Sequence, residues 1–173
     1  MRPLALLLLL LACAPKLCPP PEKLLSNLLN PPPERVTLYG YLKAGPLKTP
    51  FVLIREDGRE LLRTAFTGLT LKGRSVCLDG ACLELPVSPT ELLYGYLPGR
   101  YRVVSCLAGR AVLENEKGVR LYLKDGRLEE LRWRDVRVLF SERAPEGFFK
   151  QLTVVYKDLK LKIEVEGVRD EEA

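Results

Sequence analysis

The sequence of 173 residues predicts a mainly β protein. Its strands form an antiparallel meander of about ten or eleven, more than a flat open sheet usually holds without curling or splitting. Three observations carry this. Apolar and polar residues alternate with a period of two over most of the chain. Short turn signals, mostly ending in glycine, separate the alternating runs. One segment, Ser88-Pro89-Thr90-Glu91, carries the start signature of a helix in the middle of the meander.

The chain starts outside that pattern. Met1-Arg2 is a minimal basic start, and the apolar run Leu4–Ala12 covers nine residues. Crossing a bilayer core takes about 20. Pro15, Pro19, Pro20 and Pro21 follow at once and forbid a continuing helix. Residues 1–12 therefore read as a secretory signal peptide ending in small Ala12. Leu10-Leu11-Ala12-Cys13 resembles the bacterial lipobox. That resemblance implies cleavage before Cys13, diacylglycerol on its thiol and, usually, acylation of the new amino group. Two or three chains on one residue anchor firmly, because each buried methylene contributes about 0.8 kcal/mol. A plain secreted protein with an incidental cysteine is the alternative. An Asp after the cysteine favours inner-membrane retention in enteric bacteria, so Ala14 is compatible with delivery to the outer membrane.

Residues 13–33 read as a lipidated, proline-rich tether. One or two helical turns are expected at Glu22–Leu29, stopped by Pro31-Pro32-Pro33. The domain proper spans 34–168, and 169–173 form an acidic tail. In RVTLYGYLK, Val36, Leu38, Gly40 and Leu42 alternate with Arg35, Thr37, Tyr39, Tyr41 and Lys43. Further runs fall near 51–56, 60–67, 69–78 and 81–86. The helix follows in SPTELLYGYLPG: Ser88 is the N-cap, Pro89 the first helical position, and Glu91 closes a capping box. Leu92, Leu93, Tyr96 and Leu97 form its apolar stripe, and Pro98-Gly99 is expected to end it. The meander resumes at 101–107, 110–115, 119–124, 128–133 and 136–141. It closes with Leu152, Val154 and Tyr156 and with LKLKIEVE, where Leu159, Leu161, Ile163 and Val165 alternate with charged residues. At Asp125-Gly126 a plain two-residue turn would set Glu130 on the face of Leu121 and Leu123, so a longer loop or a bulge is expected nearby.

Cysteine usage fits an oxidising compartment. In VCLDGACLEL, Asp79-Gly80 is a strong hairpin turn that sets Cys77 opposite Cys82. In that register they form the non-hydrogen-bonded pair, with Cα atoms about 4.5 Å apart. That separation suits a disulfide. A metal site lacks two further ligands at matching spacing. Cys18 and Cys106 either pair or stay free.

Composition excludes several functions. The net charge of +5 is spread along the chain, without a basic block interleaved with aromatics, so no nucleic-acid partner is expected. Histidine is absent, which removes Ser-His-Asp triads, Cys-His dyads and most zinc sites. No phosphate loop or dinucleotide fingerprint appears, and no cofactor or metal is expected. Glu129-Glu130 and Asp170–Glu172 read as solvated surface, and an enzyme is not expected. Glutamine occurs once and asparagine only at positions 27, 30 and 115, a bias seen in thermophile proteins. Trp133 and Phe148-Phe149 read first as core, with a cavity wall and a barrel mouth or membrane contact as their functional alternatives.

The layout resembles the LolA/LolB family, the periplasmic carrier and outer-membrane receptor of bacterial lipoproteins. The likeness runs from about Pro33 to Val168 and is carried by RVTLYGYLKAG, by SPTELLYGYLPGR with its Leu-x-Gly corner, and by DVRVLFSER…TVVYKDLKLKIEVEG. The resemblance implies an incomplete β-barrel, helices closing its mouth, and an apolar interior that takes acyl chains. The helix at about 89–97 would be the lid. The lipobox favours the receptor (LolB-like) branch: a bacterial cell-envelope protein, lipid-anchored at the outer membrane and facing the periplasm. Acyl chains or lipoproteins would be its cargo, and a soluble LolA-like carrier a possible partner. The receptor carries an exposed hydrophobic residue on a loop between early strands; here AFTGLTL offers Leu69 with Phe66 nearby. Leu69 simply starting the next strand is the equal alternative. Expected cavity and lid positions are Leu38, Leu53, Leu71, Leu92, Leu93, Tyr96, Val103, Leu121, Trp133, Val138, Val154 and Ile163. The rival class is a structural or assembly lipoprotein whose barrel is filled by its own side chains and which works through protein contacts.

Overall fold

A computed structural model describes residues 18–169. The expected signal peptide, the lipidation candidate Cys13, the start of the expected tether and residues 170–173 lie outside the described residues. Among the described residues the fold is mainly β, with thirteen strands and two short helices, α1 (Pro21–Leu25) and α2 (Pro89–Leu93). The main sheet has ten antiparallel strands. In chain order they are β1 (Val36–Ala44), β2 (Leu47–Glu56), β3 (Arg59–Thr64), β7 (Tyr101–Leu107), β8 (Arg110–Asn115), β9 (Arg120–Lys124), β10 (Arg127–Trp133), β11 (Val136–Phe140), β12 (Gln151–Tyr156) and β13 (Leu159–Arg169). A second sheet of three strands holds β4 (Leu69–Lys72), β5 (Ser75–Leu78) and β6 (Ala81–Glu84).

The spatial order of the main sheet is β3-β2-β1-β13-β12-β11-β10-β9-β8-β7. The chain therefore runs outward through β1 to β3, leaves for the small sheet and α2, and returns at the far edge. It then meanders back until its last strand pairs with its first. Edges remain at β3 and β7, so the barrel is not closed. Three register shifts bend the sheet, at Tyr39/Gly40, at Val103/Ser105 and at Leu128/Glu130. The extra residue of a bulge bends its strand and raises the local twist.

Two sequence expectations are refined here. The run 69–78 is two strands, because Gly73 adopts φ +57° and turns the chain between Lys72 and Ser75. The Asp125-Gly126 turn is a two-residue turn after all, with Arg127 opposite Lys124. The expected bulge follows it and puts Leu131, not Glu130, opposite Leu121.

Helix α2 has its capping box: the Glu91 amide donates to Ser88 Oγ at 3.3 Å and the Ser88 amide to Glu91 Oε1 at 3.1 Å. It ends at Leu93, earlier than Pro98-Gly99. Gly95 sits at φ +65°, its amide donating to the Leu92 carbonyl and the Tyr96 amide to the Glu91 carbonyl. That pair of bonds is a Schellman stop. The helix is pinned from outside at both ends. The Thr90 amide donates to Glu60 Oε1 of β3 at 2.7 Å. Arg143 donates to the carbonyls of Tyr94 and Gly147, each at 2.7 Å, and lies over the Phe149 ring at 4.3 Å.

The tether segment packs on the domain. Leu25 and Leu28 are buried in the core, and the Leu97 amide donates to the Leu28 carbonyl. Helix α1 is shorter than the expected Glu22–Leu29, since the chain turns at Ser26–Leu28. Cys18 and Cys106 of the edge strand β7 form a bridge with Cα atoms 5.9 Å apart. Cys77 and Cys82 stand opposite in register and form the expected bridge, Cα atoms 4.0 Å apart.

Candidate functional site

On the concave side the interior divides into a filled part and an open part. Under β8–β11 it is filled: Leu113, Leu121, Leu131 and Val138 are wholly buried. Between the small sheet and the β1–β2 and β12–β13 hairpins it is open. A cavity of about 590 Å³ lies there, within the roughly 300–1,000 Å³ common for ligand pockets. Its floor is Val154 and Leu161 of the main sheet, and its roof is Val76, Leu78 and Leu83 of the small sheet. Ala44, Leu47, Tyr156 and Leu159 form the outer rim on one side, Ala65, Phe66 and Thr67 on the other. Asp79 is the only ionisable carboxylate on the wall, and it sits at the β5–β6 turn. A narrower space of about 70 Å³ continues inward to α2. Leu69, Val76, Leu83, Val154 and Leu161 line both, so the two adjoin along one apolar wall, together called the channel below.

The alternation of single strands builds this wall. Along β13, Leu159, Leu161 and Ile163 turn to the cavity side while Lys160 and Lys162 turn away. Ala44 stands opposite both Leu47 and Leu161, and Leu161 opposite Val154. Four adjacent strands thus present one apolar row at the mouth.

Of the expected positions, Leu53, Leu71, Leu92, Leu93, Val154 and Ile163 line the channel. Leu38, Leu121, Trp133 and Val138 are ordinary core. Tyr96 and Val103 are half-buried and do not reach the channel. Trp133 has its indole donating to the Lys117 carbonyl at 3.2 Å. Phe148 and Phe149 are buried in the core beside Tyr94 and Phe140. Phe66 and Leu69 are half-buried and line the cavity, and Leu69 is the first residue of β4. The loop that joins them is held by a hydrogen bond from the Asp79 amide to the Gly68 carbonyl at 3.2 Å, so their side chains face inward from a fixed turn.

The lid expectation also shifts. Leu92 and Leu93 are each 2 % exposed and touch only the inner end of the channel. The element that roofs the cavity is the small sheet, stapled by Cys77–Cys82 and linked to the β10–β11 turn by Arg134–Glu84 at 3.1 Å. Sequence reasoning missed most of the mouth, including Leu47, Leu83, Leu159 and Leu161. The last two belong to the alternating run LKLKIEVE and carried the signal.

Glu130 corrects another expectation. It is buried rather than solvated, held by Arg132 at 3.0 Å and by the Arg137 guanidinium. Among the described residues, no group of three or more His, Cys, Asp or Glu is placed to hold a metal ion. No described helix is long and apolar enough to cross a membrane. Compared with known proteins, the chain matches no family model and no curated protein.

Proposed function

We propose that this protein binds acyl chains in the apolar channel and serves, LolB-like, in the reception of lipoproteins while anchored to the outer membrane through Cys13. One observation carries the reading: a cavity of about 590 Å³ with an almost wholly apolar wall, adjoined by a second apolar space, lies inside an unclosed barrel. An alkyl chain needs removal from water and no polar partner, and a dry apolar wall supplies that. The arrangement asks for no catalytic group. A soluble LolA-like carrier would deliver the cargo to the mouth.

The rival reading is a structural lipoprotein with a filled interior. The solid packing under β8–β11 favours it for that half of the molecule. The test is the native mass of the chain from Ala14 to Ala173, exported behind a cleavable leader and never exposed to detergent. This chain keeps every described residue. Extra mass matching a lipid, lost on denaturation, supports the acyl-binding reading. A bare mass that stays bare after incubation with an acylated peptide refutes it.

A further inference from the structure

The mouth of the channel is formed by two hairpin tips, β1–β2 and β12–β13, that stand side by side because β1 pairs with β13. Their inner faces expose Leu47, 59 % accessible, and Leu159, 38 % accessible. Their outer faces carry lysines. Lys43 stands directly opposite Lys48 on one side and Lys162 on the other. Like charges directly opposite across strands are destabilising. Glu164 accepts from Lys43 at 2.7 Å, and its single charge is shared electrostatically with Lys48 and Lys162. Lys157 and Lys160 flank the second tip. Five lysines therefore meet Glu164 and Asp158 on these two hairpins, with Asp79 on the facing wall of the cavity. Lys48 and Lys157 lie over the rings of Tyr41 and Tyr156, at 4.5 and 5.2 Å.

Such a rim has exposed aliphatic side chains at the apex and uncompensated lysines behind them. A bilayer with anionic headgroups complements both layers: hydrocarbon for the leucines, phosphates for the lysines. A protein partner would need a carboxylate placed for each lysine, since an ammonium group buried unpaired is costly, whereas headgroups are mobile and adjust to the lysines. We propose that this end of the barrel docks on an anionic phospholipid surface. Leu47 and Leu159 enter the interface, and Lys48, Lys157, Lys160 and Lys162 receive the phosphates. The Phe66–Leu69 loop stands across the same cavity from these two tips. Docking there would set the channel mouth against the bilayer, so that a chain passes between them without crossing water.

The test is flotation of the Ala14–Ala173 chain, which lacks the anchoring cysteine, with vesicles of phosphatidylcholine alone or mixed in equal parts with phosphatidylglycerol. Binding is expected to the mixed vesicles, weakening as salt rises. The triple variant Lys48→Gln/Lys160→Gln/Lys162→Gln should bind roughly a hundredfold more weakly, from about 1 kcal/mol per lysine near such a surface. Leu47→Ser/Leu159→Ser should also weaken binding while leaving the lysines in place. Arg102→Gln/Arg120→Gln, which removes two positive charges from strands β7 and β9, should leave it unchanged. No binding, equal binding to both vesicles, or equal loss in the β7–β9 variant would each overturn the proposal. The cavity variant Val154→Trp should bind vesicles like the parent, which keeps this result separate from acyl uptake. All of the lysines and both leucines are exposed or half-buried, and near-ultraviolet circular dichroism checks that each variant is folded.

Discussion

Removing the Cys18–Cys106 bridge should cost the domain far more than removing Cys77–Cys82. The two bridges differ mainly in the loop they close, with separations of 88 and 5 residues. The loop-entropy relation gives about 4.6 kcal/mol for the long loop and about 2 kcal/mol for the short one. The perturbation is a pair of double variants, Cys18→Ala/Cys106→Ala and Cys77→Ala/Cys82→Ala. Urea unfolding can be followed through Trp133, the single tryptophan, which is buried and should change its emission on exposure. In a thermal scan the first variant should lose roughly 9–18 °C, at about 2–4 °C per kcal/mol for a domain of this size. The second should lose less than half of that. Each transition must stay cooperative for the comparison to hold. Equal midpoints for the two variants would refute the reasoning. It would mean that the tether adds nothing to the domain through its bridge, although Leu25 and Leu28 are packed in the core.

Four further outcomes follow from the structure. Gly40→Ala should unfold or strongly destabilise the domain, by about 3 kcal/mol or more, because its Cβ would strike the Glu164 carbonyl across the β1–β13 bulge; denaturant midpoints check this. Val154→Trp should keep the fold and abolish acyl-chain uptake, read as the loss of bound lipid in native mass; retained lipid would move the binding site elsewhere. Burial pushes the Tyr101 phenol up to about 12, so the folded state keeps its proton while the unfolded chain, near 10, has released it. Stability is therefore full below about pH 10 and falls by roughly 2–3 kcal/mol toward pH 12, and Tyr101→Phe should flatten that part of the parent's profile. Arg143→Met should cost about 2–4 kcal/mol, since it frees the Tyr94 and Gly147 carbonyls and loosens α2, measurable as faster amide exchange at Tyr94–Tyr96.

Local signals in the sequence were legible where local chemistry decides the outcome. Asp79-Gly80 placed Cys77 opposite Cys82, the capping box placed the start of α2, and the clash implied for Glu130 revealed the bulge after Asp125-Gly126. The end of α2 was less legible. Pro98-Gly99 looked like the stop, yet Gly95 takes φ +65° and closes the helix at Leu93, and Phe149 and Arg143, 48 or more residues away, leave no room for a side chain there. Half of the expected cavity residues reached the channel. Alternation tells which face of a strand turns inward, but not whether that part of the interior is filled. Leu121 and Leu161 both face in; only Leu161 has space above it. That difference is set by where the small sheet folds over the large one, a contact between segments far apart in the chain.

The bridge at Cys18 also fixes a length. An anchor at Cys13 would hold the domain by the five residues from 13 to 18, at most about 18 Å of extended chain. Were the bridge reduced, the next fixed point would be Leu25, and the leash could reach about 40 Å. The volume swept by the domain grows with the cube of that reach, about tenfold, and its effective concentration at the bilayer falls in proportion. With an anchor at Cys13, that one cystine would decide whether the domain ranges widely like a tethered float or rides against the surface that holds it.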